Sequence, residues 1–347
     1  MPHLVRFDSP RVATVIDVEA PPVAPGEVAI RTLYSGISAG TELTAYRGTN
    51  PYLNKTWDAE QRLFVPGATT HAYPLDGWGY EEVGTITEVG DGVSPDLVGT
   101  LVWGAWGHRS HAVRPAEYAI ARRMPVVDDP ISGIFAKIGA IALNAVLDAD
   151  IHVGETVVVF GGGVPGQIVA QLARLNGARV LLADMLPGRR ELAEQLGAWR
   201  SLDPAAGSVA EEVRALTGGR GADVVIEMSG SYHALHEAVR TVAYSSRVVV
   251  AGFFQGGAEP VRLGEEFHHN RVQIVGSQIS GVAPSLQHRW NELRMSETVL
   301  ELESAGRVRL RDLISHVLPA REAPSAFEML DTRPQEALQV VLDYREE

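Results

Sequence analysis

Three glycines and an acid stand at spacings that serve an anion and a sugar. Gly161-Gly162-Gly163-Val164-Pro165-Gly166 follows the β-branched run Thr156-Val157-Val158-Val159-Phe160, an apolar strand of the kind buried on both faces of a parallel sheet. Gly161 permits a tight turn out of the strand, Gly163 lets the backbone approach a pyrophosphate, and Gly166 lets the next helix pack against the sheet. Pro165 is tolerated at the first helical position because that N–H has no partner within the helix, and the free N–H groups of this turn, Val164 among them, point at the anion. Ile168, Val169, Leu172 and Leu175 then recur at helical spacing over 167–176, and Gly177 is a natural stop. A second strand, 179–183, ends on Asp184. An acid at that place accepts hydrogen bonds from adenosine ribose hydroxyls and repels a 2′-phosphate, which favours NAD over NADP. Arg189 and Arg190, a turn further on, are able to reach a phosphate, so the preference is not settled by sequence. The bland alternative, a glycine-rich loop in some other doubly wound domain, is opposed by strand, helix and acid standing in register.

The elements that would carry these residues change character along the chain. Up to about residue 120 the pattern is short β-like runs, at 12–18, 28–34, 84–89 and 101–103, separated by Ala24-Pro25-Gly26, Gly90-Asp91-Gly92 and Gly99, which reads as a compact all-β barrel. From about Gly139 strands alternate with helices, with further strands at 223–228, 247–251 and 272–276. Between the 179–183 and 223–228 strands a helix begins at Ser208, where Ser208 and Glu211 fit a capping box. Such alternation implies an α/β fold with a parallel sheet covered by helices. After Gly281 come a helix near 291–304, a strand at 312–317, a helix at 323–331 and a strand at 337–342. The expected division is 1–140, then a dinucleotide-binding domain at 141–281, then a return segment at 282–347 completing the first domain.

Composition narrows the partners. The 347 residues carry a formal net charge of −13 and are 45% hydrophobic, enough for two domains with substantial cores. Such acidity argues against nucleic acid and anionic membranes as partners. No apolar run is read as long enough to span a bilayer, and residues 1–8 lack the features of a secretory signal, so a cytoplasmic protein with a small-molecule substrate is expected. Cysteine is absent, which excludes disulfides, a thiolate metal site and a cysteine nucleophile. His108 and His111, and the pair His268-His269, are the dense histidine places; both are read as polar or hydrogen-bonding elements and not as ligand sets.

Several separate motifs occur in an order that resembles the medium-chain dehydrogenase/reductase superfamily, the alcohol-dehydrogenase-like proteins. They are Ala24-Pro25-Gly26-Glu27-Val28, Gly79-Tyr80-Glu81 with Val83-Gly84-Thr85-Ile86, the nucleotide fold, and Leu313-Ile314-Ser315-His316-Val317-Leu318-Pro319. The resemblance covers nearly the whole chain and implies a Rossmann doubly wound sheet plus a GroES-like β-barrel catalytic domain, assembled as a homodimer or homotetramer. Members that use catalytic zinc carry a Cys in Gly-Ile-Cys-x-Thr-Asp, a His in Gly-His-Glu, and a third Cys or acid before the nucleotide fold. Here the first run is Gly36-Ile37-Ser38-Ala39-Gly40-Thr41-Glu42, Tyr80 replaces the His, and the third place falls near Ala140. A hydroxyl and a methyl do not substitute for zinc ligands, so no metal is expected. The run from Ser35 to Glu42 resembles a zinc-free branch that includes bacteriochlorophyllide hydroxyethyl dehydrogenases.

Without zinc, other groups must stabilise the substrate oxygen and exchange its proton during hydride transfer. Thr41 matches the place where relatives carry a proton-passing Ser or Thr. Tyr80 either donates or relays a proton, the latter if its pKa is lowered, or simply fills the vacated space. Glu81 and Glu42 match the family's acids beside the metal; Glu42 is expected to pair with an arginine. For the cofactor, the resemblance places Ser229-Gly230, Gly252-Phe253 and Ser277-Gln278 against ribose and nicotinamide, and puts Gln339 where many relatives have a phosphate-contacting basic residue. The aromatic-rich loop 48–78 serves either as a lid over a sizeable substrate or as an oligomer contact. The resulting expectation is an NAD-dependent, zinc-independent dehydrogenase for a secondary alcohol or ketone (a polyol, a sugar or a ring-bearing metabolite). A quinone or enone reductase, and a non-catalytic NAD-binding sensor or assembly subunit, are the alternatives.

Overall fold

The structure is a computed structural model that describes residues 1–124 and 129–345. The chain forms two compact units, Met1–Lys137 with Ile314–Glu347, and Ile138–Leu313. The strands of the first unit are β1 (His3–Ser9), β2 (Val12–Asp17), β3 (Glu27–Ile37), β4 (Lys55–Asp58), β5 (Leu63–Pro66), β6 (Leu75–Asp76), β7 (Glu82–Val89), β8 (Leu101–Gly104) and β9 (His111–Pro115). The second unit contributes β10 (Thr156–Phe160), β11 (Arg179–Ala183), β12 (Arg200–Leu202), β13 (Ala222–Glu227), β14 (Val242–Val250) and β15 (Gln273–Gly276). The first unit is then completed by β16 (Ile314–Pro319) and β17 (Gln339–Asp343).

In the first unit β3 is the organiser. It pairs antiparallel with β7, β9 and β17. Its early half alternates in the usual period of two, with Val28, Ile30 and Thr32 buried. From Tyr34 to Ile37 every residue is buried, so this end of the strand is covered on both faces. Phe7, Ile37, Leu43, Tyr46 and Phe327 are among the residues of the core packed there, and each side chain of that size contributes about 1.5–3 kcal/mol by leaving water. The unit is not all-β as expected, because a helix, Ala39–Arg47, starts immediately after β3. Its sequence is rich in small and polar residues, which hides it from a periodicity reading. The 48–78 loop holds the β4–β5 hairpin; Tyr52, Trp57, Phe64, His71 and Trp78 make edge contacts with one another along it.

In the second unit six strands are all parallel, in the order β12-β11-β10-β13-β14-β15. This is a doubly wound order whose direction reverses at β10 and β13, where the chain ends of two neighbouring strands diverge and leave a crevice. All of β10 is buried, as its unbroken apolar run requires of a central parallel strand. The Ser208 half of the expected capping box is present: Ser208 caps the helix Val209–Leu216 by accepting the Glu211 N–H at 3.3 Å.

The return to the first unit comes at Ile314, not at 282. The cause is the helix Glu292–Ser304, which buries Met295, Val299 and Leu300. Val299 also lies so close to Gly139 that a Cβ there would be 2.6 Å from it. A second correction concerns membranes: the helical stretch Pro130–Ala149 is long and apolar enough to span a bilayer by length and composition, and 78% of its apolar window is buried inside the protein.

Candidate active site

The second unit gathers the glycine turn and the other strand ends at the carboxyl edge of its sheet. Gly161 has φ +98°, a left-handed conformation that favours glycine, and a Cβ there would lie 2.9 Å from the Ser229 nitrogen. A Cβ on Gly166 would lie 1.8 Å from the Gly161 carbonyl oxygen, so the helix packs on the turn only because this residue is glycine. Gly163 differs. Its backbone is extended and an added Cβ would meet nothing nearer than Pro165 Cδ at 4.0 Å, so nothing within the unit demands a glycine. The helix spans Val164–Leu175, one turn earlier in start than the 167–176 reading, and Pro165 is its second residue, not its first. Its missing N–H still falls among the unpartnered donors of the first turn.

Asp184 follows β11. Its carboxylate accepts the Gly162 N–H at 2.6 Å and the Leu186 N–H at 2.8 Å, which ties the acid to the glycine turn. Arg189 lies 3.9 Å from the same carboxylate. Arg190 is engaged with Asp203 at 2.9 Å and with the carbonyls of Asp184 and Met185. After β13 and β14, Gly230 packs on Phe253 and Gly252 packs on Gly230, each at a separation that leaves no room for a Cβ. Ser277, after β15, accepts a hydrogen bond from Asn144 at 3.2 Å. Gly161, Gly163, Val164, Pro165, Gly166, Asp184, Arg189, Ser229, Gly252, Phe253 and Ser277 thus all lie at or just beyond one end of the sheet.

In the first unit a hydroxyl cluster sits where β3 gives way to its helix. Ser38 and Tyr80 share a hydrogen bond of 2.5 Å, and the Tyr80 hydroxyl donates to Thr41 at 3.4 Å. Burial, then the charge of Glu81, pushes the Tyr80 phenol above its ordinary range, against the pull of Ser38 and Thr41. A lowered phenol pKa, the condition for Tyr80 to relay a proton as phenolate, is therefore not met. Glu81 is 1% exposed, and its carboxylate oxygens lack well-formed hydrogen bonds, with Ser38 and Gln339 as donors close enough to act on them. Gly36 makes room for it, since a Cβ on that residue would lie 2.7 Å from the carboxylate and 3.0 Å from the Gln339 amide. Burial, then the charges of Glu42 and Glu82, raises the Glu81 pKa well above the usual carboxylate range, with Ser38 and Gln339 opposing. The raised pKa favours the protonated, uncharged form of Glu81.

Four further residues, Glu42, His108, Ser35 and Glu82, hold this cluster, and sequence reasoning missed their arrangement. Glu42 reaches back to the Ser38 N–H at 2.9 Å, in the manner of a capping box. Its other oxygen meets His108 Nε2 at 2.5 Å, and both side chains are fully buried. The partner expected for Glu42 was an arginine; the residue that reaches it is a histidine 66 positions away. His108 Nδ1 meets the Ser35 hydroxyl at 2.6 Å, and Ser35 bonds Glu82 at 3.2 Å. Glu82 in turn accepts the Glu81 N–H at 3.2 Å and the Trp106 N–H at 2.7 Å. The chain of contacts therefore clamps both Ser38 and Glu81, the residues that flank the Tyr80 hydroxyl. Glu42 raises the His108 pKa against the effect of burial, which is the largest influence on it. Gln339, which stands where many relatives carry a basic residue, is buried and donates to the carbonyls of Ile37 and Val340.

With this geometry in view, the relatives can be read. The D-guloside 3-dehydrogenase of Escherichia coli K12 is 31% identical over 340 residues, covering 96% of this chain and 97% of the relative. The chain belongs to the medium-chain dehydrogenase/reductase superfamily. The family described as zinc-binding dehydrogenase matches residues 165–297. The 2-dehydro-3-deoxy-L-galactonate 5-dehydrogenase of Pseudoalteromonas atlantica is 27% identical, with 92% of each chain covered. Among solved structures, the 2R,3R-butanediol dehydrogenase of Bacillus subtilis superposes with a TM-score of 0.78 at 21% identity, covering 99% of both chains. The Rossmann and GroES-like units of this superfamily are those described above, and the chain is a dehydrogenase of that family.

Proposed function

We propose that this dehydrogenase interconverts a secondary alcohol and a ketone on a polyol, sugar or ring-bearing substrate, with NAD(H) as hydride carrier and without zinc. The observation that carries the reading is the hydroxyl cluster of Ser38, Tyr80 and Thr41 beside Glu81, a buried carboxyl whose pKa is raised. Zinc does not fit these side chains. Ser38 or Ala39 stands at one family ligand position and Tyr80, which is bonded to Ser38, at a second, the third falls near Ala140, and among the described residues no group of three or more His, Asp or Glu could hold a metal ion.

The proton chemistry then falls to the chain itself. In the reduction direction, hydride arrives at the carbonyl carbon while the Tyr80 hydroxyl donates its proton to the oxygen and is reprotonated through Ser38 from Glu81. Oxidation runs the same path in reverse. Thr41 holds the phenol oxygen in line. On the cofactor side, the Gly161–Gly166 turn would hold the pyrophosphate of NAD and Asp184 its adenosine ribose, and the nicotinamide would supply or take up the hydride. Arg190 is committed to Asp203, which leaves less positive charge for a 2′-phosphate. The substrate class is supported by the sugar-acid and glycoside dehydrogenases among the relatives. A turnover screen of purified protein with NAD against secondary alcohols, polyols and sugars, read as NADH absorbance, tests the reaction. Elemental analysis tests the metal: stoichiometric zinc, with activity lost to a chelator and regained with zinc, refutes the mechanism.

A further inference from the structure

We propose that Glu227 is a positioning residue for the dinucleotide, holding the ends of three parallel strands in the shape their loops need to face the cofactor. The inference rests on the cofactor reading above and adds to it a residue that does not itself touch the ligand.

Glu227 is the last residue of β13 and is fully buried. One carboxylate oxygen accepts the Ser229 N–H at 2.8 Å and the Ser229 hydroxyl. The other accepts the Gly230 N–H at 3.1 Å. The backbone carbonyl of Glu227 accepts the N–H groups of Ala251 at 2.9 Å and Gly252 at 3.0 Å. Gly252 lies hard against the same carboxylate, since a Cβ there would be 2.6 Å from it and 2.3 Å from the Gly230 nitrogen. Ser229, pinned in this way, is the backbone that lies over Gly161 of the glycine turn. One carboxylate therefore fixes the loops after β13 and β14 against the turn after β10.

An acid in this place is costly. Burial raises it to about 7, against hydrogen bonds from Ser229, Gly230 and Ser231 that pull the other way. The groups facing it are uncharged: Ser229, Gly230 and Ser231 from its own loop, Gly252 from the loop after β14, and Phe160 at the end of β10. A glutamine, neutral at every pH, would fill the same volume, so the carboxylate is kept for what its charge does. Ionised, it accepts every donor aimed at it; protonated, it turns an O–H towards N–H groups and releases one of them. Dinucleotide binding should therefore weaken as pH falls through about 7.

The test is direct titration of the full-length protein with NADH, followed by fluorescence across that pH range, together with KM for NAD and kcat. Wild type should lose affinity towards the acid side. Glu227→Gln should bind about tenfold more weakly at the alkaline end, the loss expected for one hydrogen bond to a charged acceptor, and should lose the pH step, with KM raised and kcat at saturating NAD little changed. Glu227→Asp keeps the charge but withdraws it from Ser229 and Gly230; it should bind weakly and keep a step. A Gln variant with wild-type affinity or a retained pH step overturns the proposal, as does an Asp variant with wild-type affinity. Wild-type protein that binds neither NADH nor NADPH overturns the cofactor reading itself, and this inference with it.

Discussion

Replacing Asp184 with Ala separates the two nicotinamide dinucleotides on physical grounds. The Asp184 side chain is 10% exposed and its carboxylate accepts N–H groups of Gly162 and Leu186. On the proposed reading it also accepts from the adenosine ribose. A hydrogen bond to a charged group is worth about 1.5–3 kcal/mol, and about 1.4 kcal/mol is a factor of ten in affinity. Losing that contact should raise Kd for NADH by about tenfold to a hundredfold. NADPH moves the other way. The repulsion between carboxylate and 2′-phosphate disappears, and Arg189, now 3.9 Å from the carboxylate, becomes a partner for the phosphate. The ratio of the two affinities should therefore fall on both counts. Fluorescence titration with each dinucleotide reads it. Orphaning the Gly162 and Leu186 N–H groups also destabilises the turn by about 1–3 kcal/mol, so thermal unfolding has to be measured beside binding. Asp184→Asn restores an uncharged acceptor and isolates the charge. An unchanged NADH-to-NADPH ratio in both variants refutes the ribose assignment.

The two glycines of the turn should separate stability from binding. Gly166→Ala, with its Cβ 1.8 Å from a backbone oxygen, should lower Tm by several degrees, since overpacking costs about 1–3 kcal/mol; Gly163→Ala, with open space around it, should keep Tm and lose NADH affinity. Glu81 has its pKa raised chiefly by burial, so ketone reduction should fall and alcohol oxidation should rise as pH climbs through that raised value, and steady-state profiles of Glu81→Gln should be flat. The same shift has a stability sign. The unfolded chain releases this proton at lower pH than the folded one, so the stabilising contribution is whole below the unfolded pKa and is lost as pH rises through the folded value; Glu81→Gln should melt above wild type on the alkaline side. Tyr80→Phe should cost reduction about 10²–10⁴-fold in kcat, whereas unchanged kcat in Tyr80→Phe combined with Thr41→Val would leave the phenol as mere packing.

The nucleotide unit was legible because its signals are local. The run Thr156–Phe160 matches β10 residue for residue, and Ser208 and Asn291 mark helix starts through side chains that accept N–H groups three residues on. The first unit hid more. Whether Glu42 meets an arginine or His108 depends on a contact 66 residues apart, and no spacing rule reaches that far. The sign of the Tyr80 pKa shift was beyond the sequence, because it depends on how deeply the phenol is buried and on Glu81 and Glu42 lying close enough to act on it. Glu227 escaped notice for a related reason. At the end of Ala222–Glu227 it reads as the polar close of a strand, and only the fold turns Ser229, Gly230 and Gly252 onto it.

The charge balance of the first unit decides how the substrate oxygen is handled. Glu42, Glu81 and Glu82 are buried together, with His108 in contact with Glu42. Such a cluster does not stabilise an alkoxide by positive charge; a full negative charge placed beside it would be repelled. It can prevent the alkoxide from forming, by delivering a proton as hydride arrives, and a Glu81 whose raised pKa favours its protonated form is suited to that. Proton and hydride transfer should then be coupled in one step. On that argument, heavy water and deuterated substrate should each slow turnover, and their effects should persist together; a solvent effect that vanishes when the hydride step is slowed by deuterium would mean the proton moves separately, and that an alkoxide is stabilised by some other group.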